Sequence, residues 1–210
     1  MNRDLFLSIL ALDSYNRDYN AGLVLTGQTL GTATILRDSD DLGMEDGVSR
    51  DEAAEFYAIA YNWNGETVIS YRGTDAFLPD AFYGYGIGAG FASVPQGNLA
   101  LEFYTLATQG AKAFDLTVPQ NVVLTGHSLG GGLAGFVSTL TGVEAIGFDY
   151  MPFASAALKF AITDLLGPDT TEYLRFRDEM EKTLPVNEFL ELMGAIDNLR
   201  DMAEATPEAF

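Results

Sequence analysis

The segment NVVLTGHSLGGGLAGFV, residues 121–137, holds the side chains best placed to do chemistry. Within it, Gly126-His127-Ser128-Leu129-Gly130 is a G-x-S-x-G motif. The β-type run Val122-Val123-Leu124 precedes the motif, and the small-residue helical run Leu133-Ala134-Gly135-Phe136-Val137 follows it. A serine on so sharp a strand-to-helix turn is forced into a strained backbone conformation that lifts its hydroxyl out of the sheet. Glycines flank it because a Cβ there would strike the neighbouring strand or helix. This context separates a nucleophile elbow from a bare motif match, whose bland reading is a glycine-rich turn with an idle serine.

The same segment contains His127, the only histidine in the chain. A serine hydroxyl is a poor nucleophile until a base takes its proton, and that base is nearly always histidine. His127 is the immediate neighbour of Ser128, and adjacent side chains at a sharp elbow point in different directions. It is therefore expected to pack beside the elbow, leaving a nucleophile without an evident base.

Two motifs carry a family likeness. One is Thr125-Gly126-His127-Ser128-Leu129-Gly130-Gly131; the other, upstream, is Val68-Ile69-Ser70-Tyr71-Arg72-Gly73-Thr74-Asp75. Over roughly residues 50–155 the chain resembles lipases and esterases of the α/β-hydrolase superfamily, and most of all the class 3 lipase-like group, whose oxyanion loop follows a strand and reads "RGT". The family's triad histidine lies well downstream of its serine, whereas residues 129–210 hold none.

The resemblance implies roles. Ser128 would attack an ester carbonyl. The backbone N–H of Leu129 would receive the oxyanion, with the second donor from Thr74 in the Arg72-Gly73-Thr74 loop. Asp149, at the end of the strand after the elbow strand, is the candidate triad acid, although some members keep the acid one strand later. Asp75 would hold the loop, and Arg72 reads as a structural partner. Phe77, Phe82, Tyr83, Tyr85, Phe91 and Phe153 could line an acyl pocket or be ordinary core. Three readings of the missing base stay open. The histidine could lie in a missing C-terminal part or on a second chain; the protein could be an inactive lipase-like binding or scaffold module; or a carboxylate or water could activate Ser128. A carboxylate is a weak base for a serine proton.

Composition narrows the classes. The 210 residues are 48% hydrophobic with 14 phenylalanines, enough for a sizeable core. The absence of cysteine excludes disulfides, thiolate metal sites and thiol catalysis, and one histidine argues against zinc, so no cofactor or metal is expected. A net charge of −19 repels nucleic acid and anionic headgroups. The expected partner is a small-molecule or lipid ester. The apolar run from Leu5 to Leu12 is too short to span a membrane and lacks the basic start of a signal peptide. A soluble chain is expected, cytoplasmic or exported by a signal-less route.

The expected fold is α/β: a mainly parallel, α/β-hydrolase-type sheet with helices on both faces, incomplete, over residues 1–155, followed by a helical lid, cap or core-flanking segment over 156–210. Residues 4–16 read as an amphipathic helix with Leu5, Ile9 and Leu12 on one stripe, Phe6 and Leu10 beside it. A strand is expected at Thr32–Arg37 and a helix start or turn at Ser49-Arg50-Asp51-Glu52. Phe56–Trp63 and Glu66–Tyr71 form a hairpin around Asn64-Gly65, the strongest short turn signal. Residues 76–97 read as a glycine- and aromatic-rich loop; Gly84–Gly90 lacks the strand and helix a nucleotide fingerprint needs. A helix spans 98–114, and Glu144–Phe148 is the strand after the elbow. Beyond it, Asp169-Thr170-Thr171-Glu172 signals a helix cap, and Pro185 breaks the chain before a last helix at about 187–203.

Overall fold

The computed structural model describes residues 2–18, 21–73, 94–109, 121–150, 171–187, 189–190, 193–194 and 196–197. The chain divides into two compact units, Met1–Phe153 and Ala154–Phe210.

The first unit opens with helix α1 (Arg3–Asp13), capped by the Asn2 side chain accepting from the Asp4 N–H, and a 3₁₀ turn at Ser14–Asn16. Strands β1 (Thr29–Leu30) and β2 (Ala33–Asp38) come next. A small hairpin of β3 (Met44–Glu45) and β4 (Val48–Ser49) leads into the short helix α2 (Arg50–Ala53). The rest of the unit alternates β5 (Ala58–Trp63), β6 (Glu66–Tyr71), α3 (Val94–Ala107), β7 (Val122–His127), α4 (Leu129–Thr141) and β8 (Glu144–Phe148).

One six-stranded sheet in the order β1-β2-β5-β6-β7-β8 carries the unit. The α/β class holds, and the sheet is mixed. β1 to β6 pair antiparallel, and β6-β7 and β7-β8 pair parallel. In the N-terminal half the β1-β2 and β5-β6 connections are two-residue turns, too short to cross over. Asn64 (φ 53°) and Gly65 (φ 84°) make the two-residue turn between Trp63 and Glu66, and only left-handed backbone closes it.

Side-chain alternation places the helices. Ser70 donates to the Leu10 carbonyl of α1, while its neighbour Tyr71 donates from its hydroxyl to the Ala100 carbonyl of α3. Successive β6 residues point to opposite faces, so α1 and α3 cover opposite sides of the sheet. α4 packs against α3 and against β6, β7 and β8. The α1 side holds Phe6, Leu7, Leu10, Tyr57, Ile59, Tyr61, Val68 and Val123. The buried stripe of α1 is thus Phe6-Leu7-Leu10-Ala11; Leu5 and Leu12, expected to face the core, are 56% and 55% exposed.

α1 is pinned at its start. Arg3 bridges Glu66 at the head of β6 and Glu144 at the head of β8, with N–O distances of 2.7 and 2.8 Å. The guanidinium holds the Glu144 carboxyl below its usual range. At the other end, the buried Asp13 carboxylate accepts from Arg17 Nε at 2.9 Å and the Tyr61 hydroxyl at 2.7 Å. Burial beside that carboxylate pushes the Tyr61 phenol well up.

In the second unit, helix α5 (Thr171–Thr183) starts at the expected capping sequence. The chain leaves helical geometry at Leu184-Pro185 and resumes it at 186. No helix among the described residues is long and apolar enough to cross a membrane.

The packing of α1 has a direct check. Leu10 is fully buried, so Leu10→Ala is expected to cost about 2–5 kcal/mol of unfolding free energy. Leu12→Ala, two residues on and on the exposed side, is expected to stay within about 0.5 kcal/mol. Urea titrations showing equal losses would contradict the assigned face.

Candidate active site

Parallel pairing aligns the carboxyl ends of β6, β7 and β8. Tyr71 pairs with Gly126, and His127 with Phe148. Continued past the strand ends, this register sets Gly73, Ser128 and Asp149 in a row along one edge. The carboxyl edge of parallel strands is where α/β proteins place their ligands.

Ser128 is the residue between β7 and α4. Its backbone sits at φ 55°, ψ −123°, a region that costs an L-residue about 1–3 kcal/mol. Two hydrogen bonds hold it there. The Ser128 N–H donates to the Phe148 carbonyl and the Ser128 carbonyl accepts from the Gly132 N–H, each at 3.1 Å. The side chain is half-buried. Leu129 opens α4, so its N–H is among the first-turn amides without an intrahelical acceptor, at the positive end of the helix dipole.

The glycines are there because α4 presses end-on against the strands. A Cβ on Gly126 would lie 2.7 Å from the Tyr71 carbonyl oxygen, and one on Gly130 2.7 Å from the Tyr71 carbonyl carbon. A Cβ on Gly131 would lie 2.7 Å from the Tyr150 Cβ. No rotamer change relieves contacts with backbone.

The loop after β6 closes on the elbow from the other side. A Cβ on Gly73 would meet the Tyr15 hydroxyl, would lie 2.7 Å from the His127 carbonyl oxygen and would lie 3.4 Å from the Leu129 nitrogen. The entrance of the "RGT" loop is therefore packed against the Leu129 amide. Thr74 and Asp75 lie outside the described residues, as do Phe77, Phe82, Tyr83, Tyr85, Phe91 and Phe153. Arg72 is 5% exposed, stacks over the Tyr57 ring at 4.9 Å and donates to the Arg17 carbonyl; it builds the wall beneath the loop. Asp149 follows β8 directly, is exposed and has φ 46°.

His127 lies 3.1 Å through Nδ1 from the Tyr15 hydroxyl, and the two rings meet edge-on with centroids 5.9 Å apart. The Tyr15 hydroxyl also accepts from the Gly73 N–H at 3.1 Å and donates to the His127 carbonyl at 3.2 Å. Sequence reasoning missed Tyr15. It sits in a 3₁₀ turn with no motif around it, and its partners are distant in the chain.

A separate group lies around the β2–β4 region. Asp18, Asp40 and Asp51 bring one carboxylate oxygen each within 4.8 Å of one another, a donor set of the hard-oxygen kind that suits Ca²⁺ or Mg²⁺. Asp51 is already engaged, accepting from the Ser39 and Ser49 hydroxyls and from the Glu52 N–H. Burial, reinforced by the neighbouring carboxylates, raises the carboxyls of Asp38 and Asp40.

Two stability differences follow from the elbow. Ser128→Gly should be more stable than Ser128→Ala by about 1 kcal/mol, because only glycine accepts this backbone without strain. Gly130→Ala should lose about 1–3 kcal/mol or more through forced displacement of α4. Chemical denaturation of the three variants measures both; an alanine at 130 that leaves stability unchanged would mean that the helix does not press on Tyr71.

A family model described as phospholipase-like, a Tle-like phospholipase domain, matches residues 9–158. That span includes the Arg72-Gly73 loop, the Ser128 elbow and Asp149. No curated protein and no solved structure matches the chain. With the larger part of its length covered by that one model, the chain belongs to the phospholipase-like family, as a Tle-like phospholipase domain.

Proposed function

We propose that this chain is the nucleophile-bearing part of a phospholipid ester hydrolase. The observation that carries the reading is the backbone of Ser128, held at φ 55° on the carboxyl edge of the parallel strands with Gly73 packed against the Leu129 amide. In the proposed reaction the Ser128 Oγ attacks the ester carbonyl carbon, its proton passing to a base. The tetrahedral oxyanion sits at the Leu129 N–H and at Thr74. Collapse breaks the bond to the alcohol, which leaves with the base's proton, and water then releases the acid from the acyl-serine. Asp149 is proposed as the acid that orients the base, one strand from the serine. The base is proposed to be a histidine outside these 210 residues, in a further C-terminal part or on a second chain. His127 is ill suited, because it is the immediate neighbour of Ser128 and its ring is turned to Tyr15.

That the sole histidine is the neighbour of Ser128 and turned to Tyr15 favours a second reading, an inactive lipase-like module that binds lipid without cleaving it.

The experiment exposes the purified chain to a fluorophosphonate and weighs it intact. With imidazole added to stand in for the external base, one adduct at Ser128, absent in Ser128→Ala, is the expected result; no adduct over a day with imidazole present selects the inactive module. Ester turnover by the isolated chain should be slow, since a triad lacking one member retains roughly 10³–10⁴-fold over water. Hydrolysis of p-nitrophenyl butyrate at an ordinary enzymatic rate of about 10 s⁻¹, lost in Ser128→Ala, would overturn the external base and direct attention to Asp149.

A further inference from the structure

We propose that Tyr15 is a positioning residue whose hydroxyl fixes the Arg72-Gly73 loop against the Ser128 elbow, and so sets the spacing of the two halves of the oxyanion site. The inference rests on the serine-hydrolase reading above. Three groups converge on one oxygen: the Gly73 N–H, the His127 carbonyl and His127 Nδ1, at 3.1, 3.2 and 3.1 Å. A phenol has one proton to give and two lone pairs. All three bonds form together only if the hydroxyl donates to the His127 carbonyl and accepts from both the Gly73 N–H and a protonated Nδ1. The hydroxyl is therefore a three-way clamp joining the end of α1, the loop after β6 and the elbow after β7.

Its place gives it leverage over the reaction. The Gly73 α-carbon lies beside the Leu129 nitrogen, with no room for a Cβ between the loop, the Tyr15 hydroxyl and the His127 carbonyl. A donor set works only when fixed about 3 Å from the developing charge, so a loop held from behind by a rigid phenol is preorganised, and a loop without it is not. Tyr15 is itself anchored from outside the site. Its carbonyl accepts from the Gly22 N–H, and the Asn16 carbonyl from the Leu25 N–H, both at 2.9 Å. The clamp also holds the His127 ring against Tyr15 through Nδ1.

The test uses the whole chain and Tyr15→Phe, which keeps the ring and deletes the oxygen. Because His127 is the only histidine, its ring nitrogens give one unambiguous pair of ¹⁵N signals. In the unmodified chain at neutral pH, Nδ1 is expected to carry the proton; an Nε2-protonated neutral ring would overturn the clamp without any variant. In Tyr15→Phe the His127 signals should move, the Gly73 amide should exchange with solvent at least about tenfold faster, and the rate of fluorophosphonate adduct formation at Ser128 should fall about 10- to 100-fold, short of or equal to the loss of a direct oxyanion donor. A loosened Gly73 amide with an unchanged adduct rate would make the hydroxyl purely structural and overturn the proposal. With imidazole present in place of the external base, an unmodified chain that takes up no phosphonate would overturn the hydrolase reading and Tyr15's role together, whereas a reactive chain matched by Tyr15→Phe would overturn the role of Tyr15 alone.

Discussion

Everything at the carboxyl edge depends on how closely the start of α4 approaches the ends of β6 and β7. The helix can press against the Tyr71 carbonyl only because residues 126 and 130 lack side chains. That approach compresses the connection from strand to helix into a single residue, and compression is what drives Ser128 into left-handed backbone. The strain is borne by bonds on both sides, from Phe148 of β8 and from the first turn of α4. The serine is thus rigid because its surroundings over-determine it, and it stands at the start of α4, where the first-turn amides lack intrahelical acceptors.

A second constraint runs across the sheet. α1 lies over the face opposite α3 and α4 and is tied at both ends, by Arg3 to the heads of β6 and β8 and by Tyr15 to the loops leaving β6 and β7. Between these ties, Phe6, Leu7 and Leu10 fill the space above Val68 and Val123. The helix therefore bridges the two ends of the same strands. The Arg3 pairs are partly exposed and contribute little to stability; their effect is on where the helix sits.

Much of this was legible wherever the determinant is local. The β5-β6 turn follows from Asn64-Gly65 alone, the elbow from its glycines, and β8 from five residues bounded by turns. The sequence also pointed to parallel strands around Ser128, while in the antiparallel half the β2-β5 pair joins strands with nineteen residues, 39–57, between them, whose pairing is set by the sheet. The face of α1 was misjudged because the helix is apolar on more than one stripe, and only the sheet decides between Leu5-Leu12 and Phe6-Leu10. α3 begins at Val94, earlier than the periodicity suggests, because Pro95 is tolerated in a first helical turn, where its missing N–H has no partner to lose. Tyr15 was invisible because its three bonds reach residues brought near only by the tertiary fold.

The mixed pairing also has a kinetic side. β5 and β6 meet across two residues, a closure that costs little chain entropy, whereas β6 meets β7 through pairs such as Thr67 with Val122, which must close a long loop before any contact rewards it. The antiparallel half can thus assemble while β6 still presents an open edge of Val68, Ile69 and Tyr71. Until β7 docks there, that edge is free to recruit a strand from another chain, so the step that creates the serine elbow is also the step that protects the folding chain from aggregation.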